Sequence, residues 1–246
     1  MLARTEKQWR SMVPHSKAGL EKFKRLMLPA WQHTLQLGSF AGSVPGEDRG
    51  TVVVFARAAE RHGENQRLSE ATILRRLERL NMPCITVDPI INSHDQFTNF
   101  FTTYNRTELQ EQVRQLINAC TAARDDHKSK RVVLVGSGRA GLPVLLAAPA
   151  ADAVIADGDG VDVTNDEALL AQDLFCPGIR TIGSFEGAAM LAAPHPMLLH
   201  NISAGFPTDS LRSAYRAANA KDKLRVEPNA LSHEEILKWI SDLQPK

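Results

Sequence analysis

The sequence predicts an α/β fold, a three-layer sandwich in which about six parallel strands are covered by helices and preceded by N-terminal helices. Six short β-branched or apolar runs alternate with stretches of helical periodicity. These runs are continuously apolar, which indicates burial on both faces and therefore a parallel sheet. A chain of 246 residues, 43% of them hydrophobic, is long enough to form one large domain of this class.

The N-terminal region reads as helical over residues 4–37, with interruptions at Pro14 and Pro29. Its apolar residues recur near helical spacing: Trp9, Leu20, Phe23, Leu26, Met27 and Trp31. Its first part is basic, with Arg4, Lys7, Arg10, Lys17, Lys22, Lys24 and Arg25 against Glu6 and Glu21. We assign residues 1–40 to a helical cap and residues 41–246 to the main domain. The basic helix is interpreted as packed on the domain or, alternatively, as a docking arm for a protein partner.

After a Gly- and Pro-containing loop at Gly42–Gly50, strands and helices alternate to the end of the chain. The predicted strands are Thr51–Ala56, Pro83–Asp88, Arg131–Val135, Asp152–Ala156, Pro196–His200 and Lys223–Glu227. The predicted helices are Asn65–Leu80, Thr107–Arg124, Arg139–Ala148, Asn165–Leu174, Phe185–Ala192, Asp209–Ala218 and His233–Leu243. We expect the strands, numbered along the chain, to lie in the order 2-1-3-4-5-6. Ligands of such sheets bind beyond the carboxyl ends of the strands.

Charge and composition exclude several classes of function. The 29 basic and 28 acidic residues nearly cancel, so no nucleic-acid or membrane-surface partner is expected. No apolar run approaches the roughly 20 residues that span a bilayer, and the N-terminus shows no signal-peptide core, so we expect a cytoplasmic protein. The three cysteines are far apart and predict neither a disulfide framework nor a metal site, and no cofactor is expected.

The segment Arg131–Gly141, RVVLVGSGRAG, predicts a strand, a Gly-rich turn and a helix. Gly136, Gly138 and Gly141 fit the pattern G-x-G-x-x-G, in which a pyrophosphate lies at a helix N-terminus. Asp157 follows at the end of the next strand, where an acid could hold a ribose hydroxyl. The short helix and the position of the motif, after two earlier strand–helix units, weaken this dinucleotide-binding interpretation.

The same segment also fits a nucleophile elbow, small-x-nucleophile-x-small, with Gly136 and Ala140 as the small residues. The nucleophile position is then Gly138, which tolerates a strained backbone but has no side chain to attack a substrate. Ser137 stands one residue earlier. The backbone of Gly136, Gly138 and Arg139 would surround an oxyanion pocket.

Three further segments favour the elbow. They are Phe100–Leu116 (FFTTYNRTELQEQVRQL), Phe175–Asn201 (FCPGIRTIGSFEGAAMLAAPHPMLLHN) and Ala214–Val226 (AYRAANAKDKLRV). They resemble an acetyl-xylan-esterase-like branch of the α/β hydrolases, and the resemblance covers most of residues 50–245. It implies an α/β-hydrolase core whose activity, where present, is ester hydrolysis by a Ser–His–acid triad.

The triad that the resemblance implies is not found at its three positions. Gly138 occupies the nucleophile position, Ala204 stands near the position of the acid, and Asn229 stands near that of the histidine, with His233 four residues later. Ester hydrolysis needs a nucleophile, a base that accepts its proton and a group that orients the base. The resemblance therefore implies a degenerate triad.

Three hypotheses remain open. The first is a hydrolase-fold protein without ordinary triad catalysis, a binding or assembly module that could pair with a partner through its basic N-terminal helix. The second is an atypical esterase that uses Ser137, His200 and Asp157, with a hydrogen bond between Ser137 and an imidazole. The third is a dinucleotide-binding protein that uses Gly136–Gly141. The spacing of Asp157, Asp159 and Asp162 hints at a cation site, but turn-forming aspartates explain it more simply.

Overall fold

A computed structural model describes residues 7–37, 50–58, 64–90, 100–125 and 131–243 of the chain. Two of the sequence predictions extend outside these residues. One is the loop at Gly42–Gly50, of which only Gly50 is described, and the other is the start of the N-terminal helix, residues 4–6.

The described residues form one parallel sheet of six strands, in the order β2-β1-β3-β4-β5-β6. The strands are β1 (Thr51–Ala56), β2 (Cys84–Val87), β3 (Arg131–Gly136), β4 (Ala153–Asp157), β5 (Met197–His200) and β6 (Leu224–Val226). The predicted fold class and strand order are confirmed. Because the order reverses between β1 and β3, the crevice at the carboxyl ends of these two strands is where a ligand is expected.

Helices cover both faces of the sheet. They are α1 (Lys17–Thr34), α2 (Glu64–Arg79), α3 (Phe101–Tyr104), α4 (Glu108–Asp125), α5 (Gly141–Ala147), α6 (Asp166–Leu169), α7 (Ser184–Ala192), α8 (Asp209–Ala217) and α9 (His233–Asp242). One core lies between the sheet and α1, α4, α5, α7 and α8, and a second lies between the sheet and α2 and α9. None of the helices in the described ranges is long and apolar enough to cross a lipid bilayer.

Helix α1 packs on the domain through its apolar stripe and joins the larger core. Leu20, Phe23, Met27 and Trp31 are buried, and the Trp31 indole donates a hydrogen bond of 2.9 Å to the carbonyl of Leu146. The predicted interruption at Pro29 is wrong, because the helix runs through Pro29 to Thr34. Pro29 has no N–H to donate to the carbonyl of Arg25, four residues earlier. Because both residues are exposed, water can donate a hydrogen bond to that carbonyl instead.

The predicted helix Asn165–Leu174 is also wrong in extent, since α6 ends at Leu169. The side chains of the residues that follow form hydrogen bonds with other parts of the fold. Gln172 donates to Glu108 at 3.2 Å, and Asp173 accepts from the Arg139 guanidinium at 2.6 Å. These contacts hold Leu170–Phe175 in turns, against the helical preference of its sequence.

Candidate functional site

The segment after β3 makes the sharp turn that the sequence predicts at the carboxyl edge of the sheet. Ser137 has extended backbone, Gly138 takes a φ of +51°, and a short 3₁₀ helix, Gly138–Ala140, leads into α5. A residue with a Cβ would lose roughly 1–2 kcal/mol in this left-handed conformation, and glycine avoids that cost. Gly138 therefore suits the backbone of the turn but brings no reactive side chain.

Gly136 and Gly141, on either side of Gly138, lie so close to other backbone atoms that neither position has room for a Cβ. A Cβ at Gly136 would lie 2.7 Å from the carbonyl oxygen of Ala140, inside the turn. A Cβ at Gly141 would lie 2.0 Å from the carbonyl oxygen of Asp157 and 2.4 Å from its nitrogen. The first turn of α5 thus packs directly on the backbone at the end of β4.

The Asp157 carboxylate faces the turn and accepts hydrogen bonds from three donors. Oδ2 accepts the backbone N–H of Gly138 at 3.0 Å, and Oδ1 accepts the N–H of Asp159 at 2.8 Å and the amide of Asn201 at 2.7 Å. Asp157 therefore joins the turn after β3 to the loops after β4 and β5 at the edge where chemistry is expected.

This position of Asp157 disfavours dinucleotide binding. The Gly138 N–H, which would have to face a pyrophosphate, is already bonded to a carboxylate. A pyrophosphate brought to this turn would meet a like charge, and the repulsion between like charges grows as the local dielectric constant falls. Asp157 also cannot bind a ribose hydroxyl without giving up bonds to Gly138, Asp159 or Asn201.

His200 ends β5 beside Asp157, its partner in the register of the sheet, and its side chain is buried. Nδ1 accepts the backbone N–H of Leu231 at 3.4 Å, so the proton of the neutral ring is on Nε2. Nε2 has no hydrogen-bond partner among the described residues. His200 and Ser137 are therefore not joined by the hydrogen bond that nucleophilic attack by Ser137 with His200 as base would require.

Burial lowers the pKa of His200, with a further lowering by Arg225 and an opposing effect of Asp157 and Glu235. A base whose folded-state pKa lies below the unfolded value stabilises the fold above about pH 6.5, and this contribution is lost as the pH falls through the folded-state pKa. We expect the free energy of unfolding to fall on acidification from about pH 8 to about pH 5, and to fall less in His200→Gln. Urea unfolding at a series of pH values checks this prediction. An equal change of the free energy of unfolding with pH in the two proteins would contradict it.

The two other positions implied by the hydrolase resemblance hold no acid or histidine. Ala204 follows β5 and is exposed, and Asn229 follows β6 and is exposed. The carbonyl of Asn229 accepts the N–H of Asn201 at 3.1 Å, which holds the loop after β6 against the loop after β5. His233 is the first residue of α9, and Ser232 and Glu235 form a capping box at the same helix end.

Buried charges at the end of β1 were not identified from the sequence. The carboxylate of Glu70, on α2, is buried and accepts the N–H of Ala58 at 3.1 Å, and it lies 3.6 Å from the guanidinium of Arg57. Arg57 also pairs with Asp88 at 3.0 Å. Helical spacing could have predicted the burial of Glu70, because Glu70, Ile73 and Leu77 lie on one face of α2 and that face is buried. A carboxylate on a buried face needs hydrogen-bond or charge partners.

A cavity of about 50 Å³ lies at the expected crevice between β1 and β3. Its lining includes Arg57 and Ala58 after β1, Arg139 and Ala140 after β3, and Asp173. Arg139 pairs with Asp173 through two contacts, at 2.6 and 3.3 Å. One water in the liquid takes about 30 Å³, so the space that these described residues enclose is far smaller than the sites that bind drug-sized ligands.

The aspartates after β4 act in turns. Asp162 accepts from the N–H of Thr164 at 2.9 Å and from its hydroxyl at 2.5 Å, and these two bonds lower the pKa of Asp162. Asp157 is occupied as described above. Within the described residues, no group of three or more metal-ligating side chains lies close enough to hold an ion.

Comparison with solved structures finds the same fold in other proteins. A candidate acetyl xylan esterase of Bacteroides fragilis superposes with a TM-score of 0.69 over 94% of this chain and 90% of its own, at 10% sequence identity. An esterase of Pyrococcus furiosus (TM-score 0.44, 11% identity, 86% and 90% covered) and a candidate carboxylesterase of Lactobacillus plantarum (0.42, 14%, 84% and 89%) are more distant. The sequence matches no protein-family model and no curated protein. The chain has an α/β-hydrolase fold.

Proposed function

We propose that this α/β-hydrolase-fold chain does not hydrolyse esters with a Ser–His–acid triad and acts as a binding or assembly module. The observation that carries the proposal is the turn after β3. Gly138, with φ of +51°, stands where the nucleophile is needed, and its N–H is bonded to Asp157. A nucleophile, a base and an orienting acid form one catalytic unit, and the expected positions of all three hold glycine, asparagine and alanine.

The surroundings of the turn support the same proposal. The backbone N–H of Ala58, at the end of β1, is bonded to the buried Glu70 carboxylate. This N–H is therefore already bonded and would not be free to stabilise the negative charge that develops on an ester oxygen in the transition state. The cavity of about 50 Å³ beside Arg139 also leaves little room for an acyl group between the described residues.

A partner for the assembly role would bind through α1. This helix buries its apolar stripe, so Lys17, Lys22 and Arg25 are exposed together on its outer side. Such a surface attracts an acidic protein and repels a basic one. The half-buried Lys24 is less suited to this role, because burial lowers its pKa.

The test is turnover of a short-chain aryl ester by the wild-type protein and by Ser137→Ala, each purified in the same way. We expect both proteins to give the rate of the buffer alone, since Ser137 has no hydrogen bond to His200. Asp162→Ala is the matched control, because it changes a residue at the same edge of the sheet and leaves the turn after β3 intact. Turnover that is present in the wild type and in Asp162→Ala but lost in Ser137→Ala would contradict the proposal.

The second candidate function is carboxylic-ester hydrolysis with Ser137 as a displaced nucleophile. The similarity in fold to the Bacteroides fragilis protein favours it, as does the position of Ser137, half-buried at the carboxyl end of β3. It requires His200 to move so that Nε2 reaches Ser137, with Asp157 as the acid. The aryl-ester assay distinguishes the two candidates, because only the second predicts a rate that depends on Ser137.

A further inference from the structure

A cavity of about 340 Å³ lies at the edge of the sheet where the strands begin. Its walls come from α8, from the 3₁₀ turn Lys221–Lys223 and from Leu224, the first residue of β6. Because every strand is parallel to its neighbours, this edge is opposite the one that carries the turn at Gly138. The volume lies within the range of about 300–1,000 Å³ that ligand pockets occupy. The cavity is therefore a candidate site that is separate from the crevice after β1 and β3.

Three exposed cations line this cavity, Arg212 and Arg216 from α8 and Lys221 from the 3₁₀ turn. None of their side chains forms a hydrogen bond or an ion pair with another of the described residues. By contrast, Arg57 and Arg139, which line the crevice after β1 and β3, are both paired with aspartates. The three cations can therefore bind an anion without first giving up a partner within the described part of the chain.

The spacing of these cations leaves a repulsion that is only partly compensated. Arg212 and Arg216 are four residues apart on α8, so their side chains lie on the same face of the helix, one turn apart. Like charges at this spacing destabilise a helix, and Lys221 adds a third positive charge on the wall of the same cavity. Asp222 is the one acid among the described lining residues, and Asp209, in the first turn of α8, is not in the lining. An anion in the cavity would relieve this repulsion.

The positive charge extends beyond the wall of the cavity. Burial lowers the pKa of His195, in the loop before β5, and Asp152 opposes this effect. Lys24 on α1, Lys223 in the 3₁₀ turn and Arg124 each lower the same pKa further. Lys24 and Lys223 therefore act on one imidazole, which shows that a cation of α1 lies near the turn that lines the cavity. An anion that approaches the cavity is attracted by both elements.

Charge and geometry favour a phosphoryl group over a carboxylate. The described lining carries three positive charges and one negative charge, so a dianion would neutralise it, whereas one carboxylate would leave an excess of positive charge. A phosphate monoester carries about −1.5 to −2 charges at pH 7 and has three strong acceptor oxygens. Arginine binds such oxygens in pairs through its planar fork, and lysine binds them as a point charge.

We propose that this cavity binds the phosphoryl group of a phosphate monoester, which accepts hydrogen bonds from Arg212, Arg216 and Lys221. The group belongs either to a free organic phosphate or to a phosphorylated side chain of another protein, and both present the same oxygens. The proposal does not rest on the proposed function, because the cavity and the turn after β3 lie at opposite edges of the sheet.

Calorimetric titration of the full chain with phenyl phosphate tests the site. We expect saturable binding to the wild type at about pH 7.5, where the ligand is a dianion. Arg216→Gln should weaken the affinity by about fivefold or more, and Asp222→Asn should strengthen it, because these substitutions remove opposite charges from one cavity. Both residues are exposed, and Arg216→Gln removes a like-charge pair, so its thermal stability should be unchanged or higher.

Arg79→Gln is the matched control for Arg216→Gln. Arg79 is exposed at the end of α2, on the other face of the sheet from α8, so the variant loses the same charge far from the cavity. We expect it to bind phenyl phosphate as the wild type does. Absence of saturable binding to the wild type, or equal affinity in Arg216→Gln and Arg79→Gln, would overturn the proposal.

The charge of the ligand provides a second test. The second pKa of a phosphate monoester is about 6, and arginine and lysine stay charged from about pH 5 to 8, so affinity for phenyl phosphate should rise over this range. Phenyl sulfate has the same shape and stays a monoanion, and we expect it to bind more weakly and without this rise. Ionisation of His195 would affect both ligands alike, so their difference reports the charge of the ligand. Equal affinity for the two ligands at about pH 7.5 would refute a phosphoryl site.

A peptide that carries one phosphoserine among uncharged residues distinguishes the two sources of the phosphoryl group. Tighter binding of this peptide than of phenyl phosphate supports a phosphorylated partner, and tighter binding of phenyl phosphate supports a free organic phosphate. Equal binding of the peptide with serine in place of phosphoserine would contradict a role for the phosphoryl group. Ser137→Ala should bind phenyl phosphate as the wild type does, which separates this site from any result at the turn.

Discussion

Gly141→Ala is expected to prevent the domain from folding. The added Cβ would lie 2.0 Å from the carbonyl oxygen of Asp157 and 2.4 Å from its nitrogen, and both atoms belong to the backbone of β4. No rotamer change removes such a clash, so α5 would have to move away from the sheet. All seven residues of α5 are buried, and moving it would open the core at its centre. We expect a loss of about 4 kcal/mol or more in the free energy of unfolding, or insoluble protein.

Gly160→Ala is the matched control, since it is the same chemical change in the loop after β4. Gly160 has a φ of +62° with no atom within 4 Å of the position of its Cβ, so the substitution strains the backbone but clashes with nothing. A loss of about 1 kcal/mol is expected there. Urea unfolding of both variants, followed by circular dichroism, measures the difference. Similar stability of the two variants would show that helix α5 is not packed against β4 as described.

Asp157→Ala is expected to have the next largest effect, because it removes one acceptor from three donors. The N–H groups of Gly138 and Asp159 and the amide of Asn201 would lose bonds of 2.7–3.0 Å to a carboxylate. Hydrogen bonds to a charged group contribute about 1.5–3 kcal/mol each, and water can replace part of them at this half-buried position. We expect a loss of about 3 kcal/mol in the free energy of unfolding.

Asp157→Asn and Asp162→Ala serve as controls for this prediction. Asparagine keeps one acceptor oxygen but turns its NH₂ group toward N–H donors, so an intermediate loss is expected. Asp162 also binds backbone and hydroxyl donors in the same loop, but it is fully exposed, and its removal should cost much less than removal of Asp157. Hydrogen exchange of the Gly138 amide gives a local measure, which should quicken in Asp157→Ala but not in Asp162→Ala. An unchanged exchange rate at Gly138 would contradict the hydrogen bond from Gly138 to Asp157.

The fold could be predicted from local patterns, because each strand carries its own signal. Val52–Val54 and Val132–Val135 are apolar on both faces, which requires a sheet that is covered on both sides. The helix whose end was wrong is one where distant contacts compete with a local preference. Helix α6 stops at Leu169 because Gln172 and Asp173 are bound to Glu108 and Arg139, residues more than thirty positions away in the chain.

The candidate site could be predicted only in part. The Gly-rich turn carried a sequence signal, since Gly136, Gly138 and Gly141 stand in a recognisable spacing. That spacing fitted two chemistries, and the hydrogen bond between Gly138 and Asp157 is what disfavours the pyrophosphate. Asp173, which lines the neighbouring crevice, and Glu70, which binds Ala58 in that lining, carry no motif. Their roles depend on Arg139 and Ala58, which only folding brings to them.

The sequence by itself determined that this chain forms a parallel α/β sheet with strand order 2-1-3-4-5-6, and that a Gly-rich turn follows β3. Both follow from short-range rules, hydrophobic periodicity and the freedom of glycine at positive φ. Only the tertiary structure decided that Asp157 bonds the turn and that His200 makes no hydrogen bond to Ser137. These outcomes depend on which polar groups meet after the apolar layers close, and a buried group takes whatever partner the packing places within about 3 Å.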